Sequence, residues 1–144
     1  MGSLFLIAHI DDARVAIETH WIESIVHVHD VVPVPRCHPS VAGLFALRSR
    51  VLTLIDSQFL VTGVSEPVKK GALAVVAEIS GHHFGLLVHS VKDVVSIGES
   101  QMETNITPSK KWSRLVTGTA LVEGELVMIL DPSRLIIGDE AIAA

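Results

Sequence analysis

Eight histidines, one cysteine and sixteen acidic side chains are the residues of this 144-residue chain that could do chemistry. His27 and His29 stand two apart, so on an extended strand both imidazoles share a face. His82 and His83 are adjacent and would point to opposite faces. A structural zinc site needs four nitrogen or sulfur ligands, and no CxxC, HExxH or acidic partner motif accompanies these pairs. The expectation is therefore no metal ligand set and no cofactor. Cys37 and His38 are neighbours in sequence, which does not bring thiol and imidazole into hydrogen-bond geometry. Serine, histidine and aspartate all occur, but no GxSxG elbow and no glycine-rich phosphate loop do. No catalytic residues are assigned and no enzymatic activity is expected.

The bulk composition narrows the class further. Apolar residues make up 49% of the chain and charged residues 19%, the reverse of a disordered segment. The formal net charge is −5, and no basic run occurs: Lys69-Lys70 and Lys110-Lys111 are only pairs. Nucleic-acid binding rests on neutralising phosphates, so this balance opposes it. The apolar start Leu4-Phe5-Leu6-Ile7 lacks preceding Lys or Arg and is followed by Asp11-Asp12, a poor signal peptide. The apolar runs fall short of the roughly 18 residues a membrane helix needs. A cytoplasmic protein without membrane insertion is expected, and the single cysteine fits a reducing compartment.

An internal repeat organises the chain. Leu4 to Ile10 lies over Leu73 to Ile79 at a shift of 69 residues, and the match runs ungapped through Val15-Ala16-Ile17 over Phe84-Gly85-Leu86 to Ile22–Val26 over Val91–Val95. Val41-Ala42-Gly43 then lies over Val116-Thr117-Gly118 at a shift of 75, and Val51–Asp56 over Leu126–Asp131. Val, Ile and Leu in runs of four to seven residues, closed by turn residues, read as strands. Matching turns fall at Asp11-Asp12 and Ser80-Gly81, and at Arg48-Ser49-Arg50 and Glu123-Gly124-Glu125. Pro33, Pro35 and Pro39 make residues 31–39 a loop or a sheet edge. Apolar spacing in Ile22–Val26 fits a strand or a short helical turn. The reading is one all-β domain over 1–144, with approximate lobes 4–64 and 72–137 and few short helices. A single copy buries too little to stand alone, so the lobes should share a seam. Exchange of strands between the lobes stays open.

The segment Gly43-Leu44-Phe45-Ala46-Leu47-Arg48-Ser49-Arg50-Val51-Leu52-Thr53-Leu54-Ile55-Asp56 resembles a signature of the CheW family of chemotaxis adaptors. There a glycine, two apolar residues and Asn-Leu-Arg-Gly lead into a strand ending in Asp. The resemblance runs from Leu4 to about Ile137. It implies two SH3-like, five-stranded barrels without enzymatic activity. It also implies two partners, the cytoplasmic tip of a methyl-accepting chemoreceptor and the regulatory domain of a CheA-type histidine kinase, within arrays at the inner membrane.

The chain departs from the pattern at several positions. Ala46 replaces the Asn, Ser49 the Gly, Thr53 a strand proline, Ser24 an acidic residue and Val26 an arginine. These replacements keep a second reading open, a CheW-like paralogue with another partner, such as a pilus or twitching-motility array. Carried over residue by residue, the resemblance gives Arg48, Ile22, Val26 and Val95 as receptor-binding residues. It gives the apolar stretch Val31, Val32, Val34 and Pro35 as the kinase-binding edge.

Overall fold

The structure, a computed structural model, describes residues 2–11, 13–35, 40–65, 67–79, 81–103, 112 and 115–135. Eleven strands run through these residues. In chain order they are β1 (Ser3–Ile10), β2 (Ala13–Glu18), β3 (Ile22–Val28), β4 (Val41–Leu47), β5 (Arg50–Ile55), β6 (Ala72–Ile79), β7 (His82–Val88), β8 (Ser90–Ile97), β9 (Met102–Glu103), β10 (Val116–Val122) and β11 (Glu125–Leu130). The α-helix among the described residues, α1, is six residues long (Ser57–Thr62). Asp56 caps it by accepting a hydrogen bond from the Phe59 amide, and Gly63 ends it at φ 77°.

The strands form two sheets, ordered β3-β6-β7-β5-β4 and β8-β1-β2-β11-β10-β9. Each sheet draws on both sequence copies. The first hairpin of the first copy, β1-β2, pairs with β8 and β11, while the first hairpin of the second copy, β6-β7, pairs with β3 and β5. The registers repeat with the shifts read from the sequence. Thr53, Leu54 and Ile55 run parallel to Phe84, Gly85 and Leu86, as Met128, Ile129 and Leu130 run parallel to Val15, Ala16 and Ile17. The two-residue β9 is a sixth strand added to one sheet.

Strand exchange explains why β1 and β6 read as continuous apolar runs. Each is buried on both faces. In β1, Phe5 and Ile7 enter the core of their own sheet, while Leu6, Ala8 and Ile10 enter a cluster shared with the other sheet. In β6, Ala74 and Val76 face their own core, and Val75, Ala77 and Ile79 face the shared cluster. β2 and β7 contribute Val15, Ile17, Phe84 and Leu86 to that shared cluster. Fully burying one such side chain is worth about 1.5–3 kcal/mol, so the seam is a major source of stability. β3 and β8 lie at sheet edges and are more exposed, β3 alternating between half-buried and exposed positions and β8 exposing Lys92, Asp93 and Val94 in a row. Residues 22–26 belong to the strand β3 and not to a helical turn, and a 3-10 turn, Thr19–Trp21, lies just before it.

Candidate docking surfaces

The β4-β5 hairpin carries Arg48 at its tip. A two-residue turn joins Leu47 to its partner Arg50. Arg48 is exposed and sits at φ 59°, while Ser49, in the place of the family's glycine, does not take a positive φ. The left-handed residue of this turn is therefore the arginine itself. In the other sheet Glu123 takes φ 52° and Gly124 takes φ 78°. The two turns are thus equivalent in place and opposite in charge.

Beside this hairpin, β3 and the segment that follows it form a groove of about 510 Å³. Val26, Val28, Val32, Leu44, Leu47 and Val51 line it, with His27, His29 and Asp30 also at its wall. Val32 is bound to the edge of β4 through Val32 N–H to Leu44 O (2.8 Å) and Leu44 N–H to Val32 O (2.9 Å). Gly43 permits that approach. It lies at φ 150°, and a Cβ there would fall 2.6 Å from both Val31 Cγ1 and Val32 O.

The structure brings some of the expected residues together and separates others. Val26 and Val32 share the groove, and the turn bearing Arg48 directly follows its lining residue Leu47. Val31 packs on the core beneath, Val34 is half-buried, and Pro35 is exposed. Ile22 packs against the shared cluster. Val95 lies on β8, in the other sheet, opposite Phe5. Cys37 and His38 lie outside the described residues.

Sequence reasoning passed over four exposed apolar residues. Ile25 (41% exposed) and Val51 (67%) have as their counterparts in the repeat Val94 (52%) and Leu126 (41%). Apolar exposure is thus kept at two pairs of repeat-related positions, on β3 and β5 of one sheet and on β8 and β11 of the other. The register of the duplication, applied to the outward positions of β3 and β5, would have found them.

A charged cluster was also missed, because strand pairing assembles it. Glu23 stands at the bulge in β3 where the register against β6 shifts. Glu78 and His83 face each other across β6 and β7. His83 Nε2 lies 2.8 Å from Glu78 Oε2 and 3.0 Å from Glu23 Oε2, and Arg50 pairs with the other oxygen of Glu23. The hydrogen bond from Arg50 holds the Glu23 carboxyl below the usual carboxylate range. Partial burial opposes that shift, and the charges of Arg50 and His83 add to it. Of the two histidine pairs read from the sequence, the second supplies His83 to this cluster. His27 Nδ1 is hydrogen-bonded to Gly71 O at 2.9 Å, and His29 lies on the groove.

Comparison with known proteins places this architecture. A family model described as a CheW-like domain matches residues 4–140. The chemotaxis protein CheW of Thermotoga maritima is 29% identical over 128 residues, covering 88% of this chain and 83% of the relative. The CheW of Rhizobium meliloti is 25% identical over 114 residues, covering 78% and 73%. The crystal structure of the scaffolding protein TtCheW from Thermoanaerobacter tengcongensis shares the fold. Its TM-score is 0.78 at 19% identity, with 91% of this chain and 90% of that one covered. With its duplicated sheets and a family match along most of its length, the chain belongs to the CheW-like family.

Proposed function

We propose that this chain is a non-enzymatic adaptor coupling the cytoplasmic tip of a chemoreceptor to the regulatory domain of a CheA-type histidine kinase in chemotaxis. The carrying observation is that both sheets keep an exposed apolar residue at a repeat-related position, Val51 and Leu126, next to hairpin turns of opposite charge at Arg48 and Glu123. An adaptor must hold two different partners at once. A duplicated fold supplies two platforms, and changing the charges on one makes them chemically distinct. The groove at Val26 and Val32, flanked by Arg48, suits an apolar segment with an acidic neighbour. An arginine there can pair with a carboxylate in bidentate fashion. Among the described residues no helix is long and apolar enough to cross a membrane, so on this reading the chain reaches the array through its partners. The chain acts as one unit on this account, because each sheet needs strands from both copies.

The test is reconstitution with a purified CheA regulatory domain and a soluble receptor-tip fragment. The expected result is binding to each alone and a three-component complex by gel filtration. Failure to bind either one would overturn the proposal.

A further inference from the structure

We propose that Glu23, Glu78 and His83 form a binding site for a divalent transition-metal ion of the zinc class. Each residue offers one ligand atom, and these atoms all lie within 4.8 Å of one another. His83 is the shared member of the three. His83 Nε2 stands 2.8 Å and 3.0 Å from the two carboxylate oxygens, so one nitrogen faces two anions. Zinc bonds to nitrogen and carboxylate oxygen are about 2.0–2.2 Å, which in a tetrahedron separates neighbouring ligand atoms by about 3.3 Å. Opening the two His83 contacts by a few tenths of an ångström brings them to that spacing, and the carboxylate ligand atoms of Glu23 and Glu78 lie within 4.8 Å of each other.

The supporting framework is rigid where it needs to be. Glu78 and His83 are a direct cross-strand pair, and the β3 bulge delivers Glu23 to them. Arg50 holds the second oxygen of Glu23 and fixes the carboxylate's orientation, the role that outer partners play around metal ligands. The Nε2 lone pair of the neutral ring coordinates the metal with the ring hydrogen on Nδ1. An imidazolium releases one proton to solvent, and a neutral ring carrying its hydrogen on Nε2 moves it to Nδ1 through solvent with no net release. The two carboxylate charges then balance the 2+ ion. Remaining positions open to water, since all three side chains are partly exposed. A mixed nitrogen and oxygen set suits zinc, nickel or cobalt better than calcium or magnesium, which take oxygen ligands.

The duplication supplies an internal control. The positions equivalent to Glu23, His83 and Glu78 in the other sheet hold Lys92, Arg14 and His9. Two of those three are cations, so the second sheet cannot offer the site.

Isothermal titration with zinc chloride, paired with thermal melting, tests the proposal on the full chain. Wild type should bind one ion saturably and melt at a higher temperature with zinc than without it. His83→Gln and Glu78→Gln should each weaken that affinity at least tenfold, while His82→Gln leaves it unchanged. Melting of each variant without metal shows whether it folds, and two variants at different positions keep the test decisive. With cobalt, wild type should give visible ligand-field absorption that His83→Gln lacks. No binding by wild type at millimolar zinc, or binding that survives in both His83→Gln and Glu78→Gln, would overturn it.

Discussion

The two sheets use the same backbone plan with different side chains. At one set of equivalent positions the β3–β7 sheet carries Glu23, Arg50, His83 and Glu78, and its partner carries Lys92, Glu125, Arg14 and His9. Both sets form ion pairs. Arg50 pairs with Glu23 in the first, and Arg14 with Glu125 in the second. In the interior, the aromatic residue has changed strands. The β3–β7 core has Phe45 over Gly85 with Ala74 opposite, whereas the equivalent positions of the other core hold Ala120, Ala16 and Phe5. The two trios differ by one methyl group in total, so most of the volume is kept while its distribution differs, which is what close packing tolerates. Duplication fixes the frame, and surface charge is free to diverge because exposed pairs contribute little to stability.

The interior comparison gives the largest expected effect on stability. Phe45→Ala should cost about 3–5 kcal/mol, from lost burial and the cavity left behind. Giving this core the other sheet's arrangement, Phe45→Ala with Gly85→Ala and Ala74→Phe, should recover a large part of that loss in urea unfolding. A triple variant no more stable than the single one would break the volume-exchange account.

A smaller effect follows at Gly85 alone. A Cβ there would lie 2.8 Å from Phe45 Cζ and 2.9 Å from Cε1, so Gly85→Ala must move the ring. Overpacking of this kind costs roughly 1–3 kcal/mol. The converse change in the other sheet, Ala16→Gly, should cost only about 0.5–1 kcal/mol. Equal melting shifts for the two variants would contradict the difference drawn between the cores.

The smallest effect is a pH dependence specific to one sheet. Burial pushes the His9 pKa down, and the charges of Lys92, Arg14 and His89 push it further. The unfolded chain therefore takes up this proton more readily than the folded one. Stability should fall as pH drops through the ordinary histidine value of about 6.5, and the loss should level off below the folded value. His9→Asn should flatten the melting temperature between about pH 7 and pH 5. A profile unchanged in that variant would remove His9 from the account.

Much of the fold was legible because duplication wrote it twice. Apolar runs at shifts of 69 and 75 residues gave strands and turns whose registers repeat in the structure. Strand exchange could not be read, since a run such as Ala72–Ile79 reports burial on both faces and not which sheet provides it. The candidate docking surfaces were partly legible. Arg48 and Val26 came from the family resemblance, and Val32 from an apolar stretch read as a loop or edge. Ile25 and Val51 were missed because exposure depends on tertiary position. Glu23, Glu78 and His83 were missed because they are far apart in sequence, and only the β6–β7 pairing and the β3 bulge join them. The positive φ at Arg48 was likewise not visible, as a missing turn glycine gives no sign of which neighbour takes its conformation.

The adaptor account is tested most directly at the Arg48 turn. Glu123 already occupies the equivalent left-handed position in the other sheet, so Arg48→Glu places a side chain that this backbone accepts. An exposed change of this kind should alter stability by no more than about 0.5 kcal/mol. At an interface the same reversal should cost about 2–5 kcal/mol of binding, through a lost pair and a new repulsion. The measurement is the affinity of Arg48→Glu for the receptor-tip fragment and for the CheA regulatory domain, with melting recorded on the same sample and Glu123→Arg as the matched reversal. The account predicts an unchanged melting temperature and at least a tenfold loss of affinity for one of the two partners. Wild-type affinity for both would contradict it.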